Sequence, residues 1–162
     1  MFDYFHYFAD KPNLPSSESI LSLEKDYDFD EVTNSDIELM AEAMFIAAKK
    51  FAKPVGVRII KDGQTIFESL QSPLGEDSLG WLSRKEKVVN ETGHSSYYIF
   101  LDNITSHRND HMIMDESYGI CGGSFPLIIS GVVRGTVTCT GLRPEEDHYV
   151  VIEGLESMRK GV

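Results

Sequence analysis

His94, in the run Gly93-His94-Ser95-Ser96-Tyr97, is the side chain here with the widest chemical range. An imidazole titrates near neutral pH, so it can pass protons, and its neutral nitrogen can ligate a metal or heme iron. The structural alternative is that the ring bonds a backbone carbonyl while Ser95 caps the next element. Gly122-Gly123, ahead of Ser124-Phe125-Pro126, is a second candidate, because glycines let successive backbone N–H groups face an anion. The pair lacks the P-loop lysine and the dinucleotide fingerprint, so no nucleotide is indicated, and two glycines equally suit a tight entry into a strand. Arg84, Lys85 and Lys87 gather positive charge that suits a small carboxylate or phosphate, or else forms a solvated helix face.

The remaining candidates are poorer. Glu145, Glu146, Asp147 and His148 contain paired acids and a base, but acids at a helix start explain themselves and His148 has no partner at ligand spacing, so no metal is expected. His107 and His111 share a face only if their segment is helical, and Arg108 lies between them. Cys121 is a thiol with no Cys-His-Asn/Asp order around it to make it a nucleophile.

Several elements must position these groups. Ser16-Ser17-Glu18-Ser19 reads as a helix start. Ile37, Met40, Ala41, Met44, Phe45 and Ala48 recur at helical spacing behind Asn34 or Ser35 as N-cap, and that helix ends near Lys53, before Pro54. Val55, Val57 and Ile59 alternate, Lys61-Asp62-Gly63-Gln64 turns, and Thr65-Ile66-Phe67 returns, which predicts a hairpin. Asp77 or Ser78 caps a helix presenting Trp81, Leu82, Lys85, Val88 and Val89, and Gly93 ends it. Tyr97 to Leu101 reads as helix or strand, and Asp102 through Met114 as a surface loop. A second hairpin turns at Ser130-Gly131, where Thr136, Thr138 and Thr140 alternate with Val137 and Cys139 as in a half-buried strand. Pro144 then opens a last helix, with Glu145, Glu146 and Asp147 in its first turn.

Cys121-Gly122-Gly123-Ser124-Phe125-Pro126, then Gly141-Leu142 with Glu145-Glu146-Asp147-His148, preceded by Trp81 with Arg84-Lys85 and by Gly93-His94-Ser95-Ser96-Tyr97, resemble in order and type the GlcG-like, heme-degrading domain family in its cytosolic branch. The resemblance runs from about the first helix to near the C-terminus. It implies an α/β (α+β) profilin-like fold, a single antiparallel sheet with helices packed on it, and assembly into homo-oligomeric rings. The family-like domain would span 34–162, after an aromatic arm and first helix at 1–33. The resemblance also places a ligand pocket near Trp81, Arg84, Lys85, His94, Ser95, Gly122, Gly123 and Ser124. In this branch a histidine usually precedes the Gly-Gly pair; here Cys121 stands there.

Three functions follow as expectations. The first is an oligomeric small-molecule-binding protein whose ligand is a small anion; heme enters through the family label alone, and no cofactor follows from the residues. The second is a ring-forming adaptor with protein partners, since a fungal member of the branch is associated with the delivery of tail-anchored membrane proteins. The third is an enzyme with His94 as acid–base group, for which no second catalytic group sits at a diagnostic spacing.

The chain has 162 residues, enough for one domain with a real core. Its 26 acidic and 15 basic residues give a net charge of -11, which repels phosphate backbones and anionic bilayers and argues against nucleic acid or membrane as partners. Two cysteines, Cys121 and Cys139, are expected as free thiols in a cytoplasmic protein, in keeping with the lack of an export-type start or a spanning apolar run. Phe2, Phe5 and Phe8 in the N-terminal arm are expected to pack on their own domain or on a neighbouring subunit.

Overall fold

Period-two and period-3.6 patterns become five strands and six α-helices in a computed structural model that describes residues 14–160. The aromatic arm with Phe2, Phe5 and Phe8 lies outside the described residues. Helix α1 (Ser17–Asp26) starts as read, with Ser16 accepting the Ser19 N–H at 3.2 Å. Strand β1 (Asp28–Phe29) follows, then helix α2 (Asn34–Ala48). The α2 N-cap is Thr33, not Asn34 or Ser35. Thr33 Oγ1 accepts from the Asp36 N–H while Asp36 accepts from the Thr33 N–H, a reciprocal box that satisfies two orphan donors and that an Asn34 or Ser35 cap would forgo.

A 3-10 turn over Lys49–Phe51 leads to β2 (Gly56–Lys61) and β3 (Gln64–Leu70), whose turn residues Asp62 and Gly63 both take positive φ, as a two-residue hairpin requires. Helix α3 (Glu76–Thr92) starts earlier than an Asp77 or Ser78 N-cap would allow. Gly75 is its N-cap and no side chain caps it, so Glu76 and Asp77 serve the first turn by charge alone. Gly93, at φ 75°, closes α3 as expected.

Helix α4 (Ser96–Ser106) resolves the Tyr97–Leu101 ambiguity, and α5 (Asp110–Met114) follows it, so the expected loop over 102–114 is helical except at 107–109. Ser95 caps α4 by accepting the Tyr98 N–H. Burial of Tyr97, Phe100 and Leu101 against Ile20, Val88 and Ile120 then outweighs their strand propensity. The 102–114 stretch hid its helices because their polar groups bond one another: Asn103 donates to Asp110 and accepts from the Asn109 N–H, and Arg108 pairs with Asp102. Strands β4 (Ser124–Ile129) and β5 (Val132–Thr140) meet at Ser130-Gly131, and α6 (Pro144–Lys160) completes the chain.

The sheet order is β1-β4-β5-β2-β3. Every pairing is antiparallel except β1 with β4, which is parallel, so the sheet is mostly antiparallel, as expected, and mixed at one edge. Helices α2 and α6 cover one face through Ile37, Met40, Met44, Val151 and Leu155, against Val57, Ile59, Phe125, Leu127 and Val137. The other face lies under α3 and α4. There Thr136, Thr138 and Ser124 are buried, not solvated, because Ser124 Oγ bonds Thr138 Oγ1 at 2.8 Å and Ser96 Oγ receives the Ser124 N–H. The threonine alternation therefore marks a second, polar interior.

Candidate functional site

Lys85 sits on the apolar stripe of α3 and is 2% exposed, so its ammonium must find partners inside the protein. It donates to Asp147 Oδ2 at 2.8 Å and to the Cys139 carbonyl at 3.0 Å. Burial works against its charge, but Asp147 and the nearby thiols outweigh it and hold the Lys85 pKa above the usual value. Asp147, whose own carboxyl is pushed up by burial, also accepts the Leu142 N–H through Oδ1. By spacing alone Asp147 has only a helix-start role. The missed signal was a lysine among Trp81, Leu82, Val88 and Val89, which called for a buried acid.

Gly122 and Gly123 belong to the same cluster. A Cβ on Gly122 would run into the Pro144 carbonyl. One on Gly123, at φ 130°, would lie 2.6 Å from the Cys139 oxygen and 2.7 Å from Lys85 Nζ. Close backbone approach thus accounts for both glycines. Cys121 and Cys139 are free and buried, and burial pushes the Cys121 thiol up to about 11, which makes it a poor nucleophile.

Arg84 and Lys87 leave this cluster in different directions. The Arg84 guanidinium stacks 4.8 Å from the Trp81 ring, while the Arg84 carbonyl accepts the Gly119 N–H. Lys87 lies 4.1 Å from the Tyr118 ring and donates to Ser117. His94 and Ser95 stand at the far end of α3. His94 Nδ1 meets Glu24 Oε2 at 2.8 Å, and Glu24 Oε1 accepts the Ser95 N–H. A carboxylate only accepts, so Nδ1 carries a proton, and Nε2 is the lone pair of the neutral ring, on a side chain 42% exposed. Glu24, seventy residues away, left no trace in the local pattern.

The eight expected site residues therefore fall apart: Trp81 with Arg84; Lys85 with Gly122 and Gly123; His94 with Ser95; and Ser124 on its own partners, Ser96 and Thr138. Trp81 and the end of α3 at Thr92 are separated by roughly 17 Å along the helix axis. His148 lies inside, 4.8 Å from the Tyr97 ring and 6.4 Å from Phe125, and burial pushes it down to about 4. His107, exposed, meets Asp110 at 3.3 Å, and His111 packs on Tyr118. Among the described residues no group of three or more His, Cys, Asp or Glu is placed to hold a metal ion, and no helix is long and apolar enough to cross a membrane.

A five-stranded sheet with helices on both faces, one interior apolar and the other polar, defines an α+β domain of the kind the sequence resemblance implied. Residues 32–156 match the family described as haem degrading protein HbpS-like, and the chain belongs to that family. A UPF0303 protein of Streptomyces coelicolor is 31% identical over 149 residues, 90% of this chain and 94% of that protein. Among solved structures, the Ybr137w protein superposes with a TM-score of 0.80 at 22% identity, over 98% of this chain and 94% of its own. A PduOC:heme complex superposes with a TM-score of 0.66 at 15% identity, over 78% and 94%.

Proposed function

We propose that this chain is a small-molecule-binding protein whose ligand is an anion received on the Trp81–Arg84 surface, and that it works as a cytoplasmic homo-oligomer. The observation that carries this reading is Arg84. In a chain of net charge -11 its guanidinium meets an aromatic face and no carboxylate among the described residues, so its charge is available to an incoming anion. Lys85 is not available in this way, since Asp147 already neutralises it. The heme complex of PduOC, alike in fold, supports a planar anion as the class of ligand.

The chain's single tryptophan is Trp81, so its fluorescence gives one signal for hemin binding, and the Arg84 variant locates it. Hemin, with two propionates, is the probe. It is expected to quench Trp81 saturably, and Arg84→Glu is expected to weaken that binding tenfold or more. Unchanged affinity in Arg84→Glu overturns the reading.

A second reading rests on the Glu24–His94 pair, which fixes the proton on Nδ1 and presents Nε2 for ligation or proton transfer. Were heme held there, His94 would be the residue that ligates its iron, too far along α3 for Arg84 of the same subunit to share a small ligand. The first reading expects the hemin absorption spectrum to be the same in His94→Ala. A defined Soret band lost in that variant, with the fold intact, moves the site to His94.

A further inference from the structure

At the C-terminal end of α2 the chain leaves the helix through the 3-10 turn and Ala52, and this exit walls one side of an open groove of about 460 Å³. Its apolar lining comes from Phe45, Ala48, Ala52 and Pro54. Lys49 and Lys53 stand over it, with no acid partner among the described residues, while the intervening Lys50 is committed to the Tyr149 ring at 3.8 Å. On the opposite wall Gln71 accepts the Val55 N–H through Oε1 at 2.9 Å, which fixes the side chain and leaves its amide N–H groups as donors. Ala52 has φ 54°, a left-handed conformation that a residue with a Cβ rarely takes, and its methyl is part of the lining.

Lysines at a helix end also offset the helix dipole, which accounts for their charge but not for a hollow with apolar walls between them. The volume falls within the range of small-ligand sites, and the lining is divided evenly, with Phe45, Ala48, Ala52 and Pro54 apolar and Lys49, Lys53, Gln71 and Ser72 polar, which suits a ligand that is itself half charged and half apolar. The groove is walled by the end of α2 and by the loop after β3, and neither Trp81 nor Arg84 is among its lining residues. We infer that this groove is a binding site for a small monoanion with an apolar body, of the aliphatic or aryl carboxylate class. The carboxylate lies between Lys49 and Lys53, and the hydrocarbon lies against Phe45, Ala48 and Pro54.

The test uses the full chain and 8-anilinonaphthalene-1-sulfonate, a fluorescent anion with an apolar body, displaced by octanoate, octanol or acetate. Octanoate is expected to displace it at least tenfold more effectively than either control, because octanol has the body without the charge and acetate the charge without the body. The Lys49→Glu/Lys53→Glu double variant is expected to lose octanoate binding tenfold or more, while Arg84→Glu leaves it unchanged. Methyl chemical shifts of Ala48 and Ala52, followed during the octanoate titration of the unaltered protein, locate the site without any substitution. Equal displacement by octanol, full binding by the double variant, loss in Arg84→Glu, or unmoved Ala48 and Ala52 methyls would each overturn the assignment.

Discussion

His148 should make this protein acid-sensitive well above the usual carboxylate range. Its imidazole is 7% exposed on α6, between Tyr97 and Phe125, and burial lowers its pKa from 6.5 to about 4. A histidine with a depressed folded pKa binds its proton more readily in the unfolded chain. Its contribution to stability is therefore intact above the unfolded pKa and is lost progressively as pH falls from there towards the folded one. With those two values, linkage gives a loss of about 0.2 kcal/mol at pH 7 and about 2 kcal/mol at pH 5. For a chain of this length the difference corresponds to roughly 4–8 °C in Tm. Carboxylates change stability over the same interval, so the measurement is a comparison. Urea unfolding, followed by circular dichroism at pH 7 and pH 5, is run on the protein and on His148→Phe, which keeps a flat apolar ring beside Tyr97. The natural protein should lose about 2 kcal/mol more than the variant between the two pH values, whatever the absolute stability of each. Parallel pH dependence in the two proteins would refute the argument, and so would a His148 resonance titrating near 6.5 in the folded state.

The Lys85–Asp147 pair yields a second expectation. Lys85→Met strips the buried Asp147 of its cation, so that the carboxyl must bear an uncompensated charge or take up a proton, and should cost about 3–5 kcal/mol in urea unfolding, whereas Lys85→Met/Asp147→Leu should recover most of that loss. A double variant no more stable than the single one would show that the pair contributes beyond mutual neutralisation. Gly123→Ala sets a methyl 2.6 Å from the Cys139 oxygen at a φ of 130°, so a loss of about 2–4 kcal/mol is expected by the same assay, against under about 1 kcal/mol at the open Gly75. Similar values at the two glycines would mean that the Gly122-Gly123 turn yields more easily than its contacts imply.

The elements were legible where one face of a segment was apolar and its ends carried turn chemistry. Asp62-Gly63 and Ser130-Gly131 announced both hairpins, and Gly93 the end of α3, because a positive φ leaves a residue signature. Helix starts were less legible. Thr33, Asn34 and Ser35 can all cap, and the choice fell to Thr33 only because Asp36 stands three residues on to return the bond. Gly75 caps α3 with no side chain at all. Strand β1 is two residues long, too short for any periodicity, and it takes its place from the parallel pairing of Phe29 with Ile129.

The candidate site was legible residue by residue but not as an arrangement, and the reason is that charge on a sequence has no sign of burial. Arg84, Lys85 and Lys87 read as one basic cluster, yet helical rotation sends them to Trp81, Asp147 and Tyr118 in turn. One is thereby free to meet an anion, one is neutralised in the interior, and one covers a ring. The same rotation places Glu86 on the Arg58 guanidinium, 2.6 Å away under β2, where burial raises its carboxyl despite that partner. Of four consecutive polar residues on α3, two thus enter the polar interior and two stay at the surface. The polar face of the sheet, with Thr136, Thr138 and Ser124, exists to receive them: Thr136 faces Glu86, and the Cys139 carbonyl receives Lys85. On this view the threonine ladder of β5 and the charged run of α3 are one feature, each explaining why the other is buried.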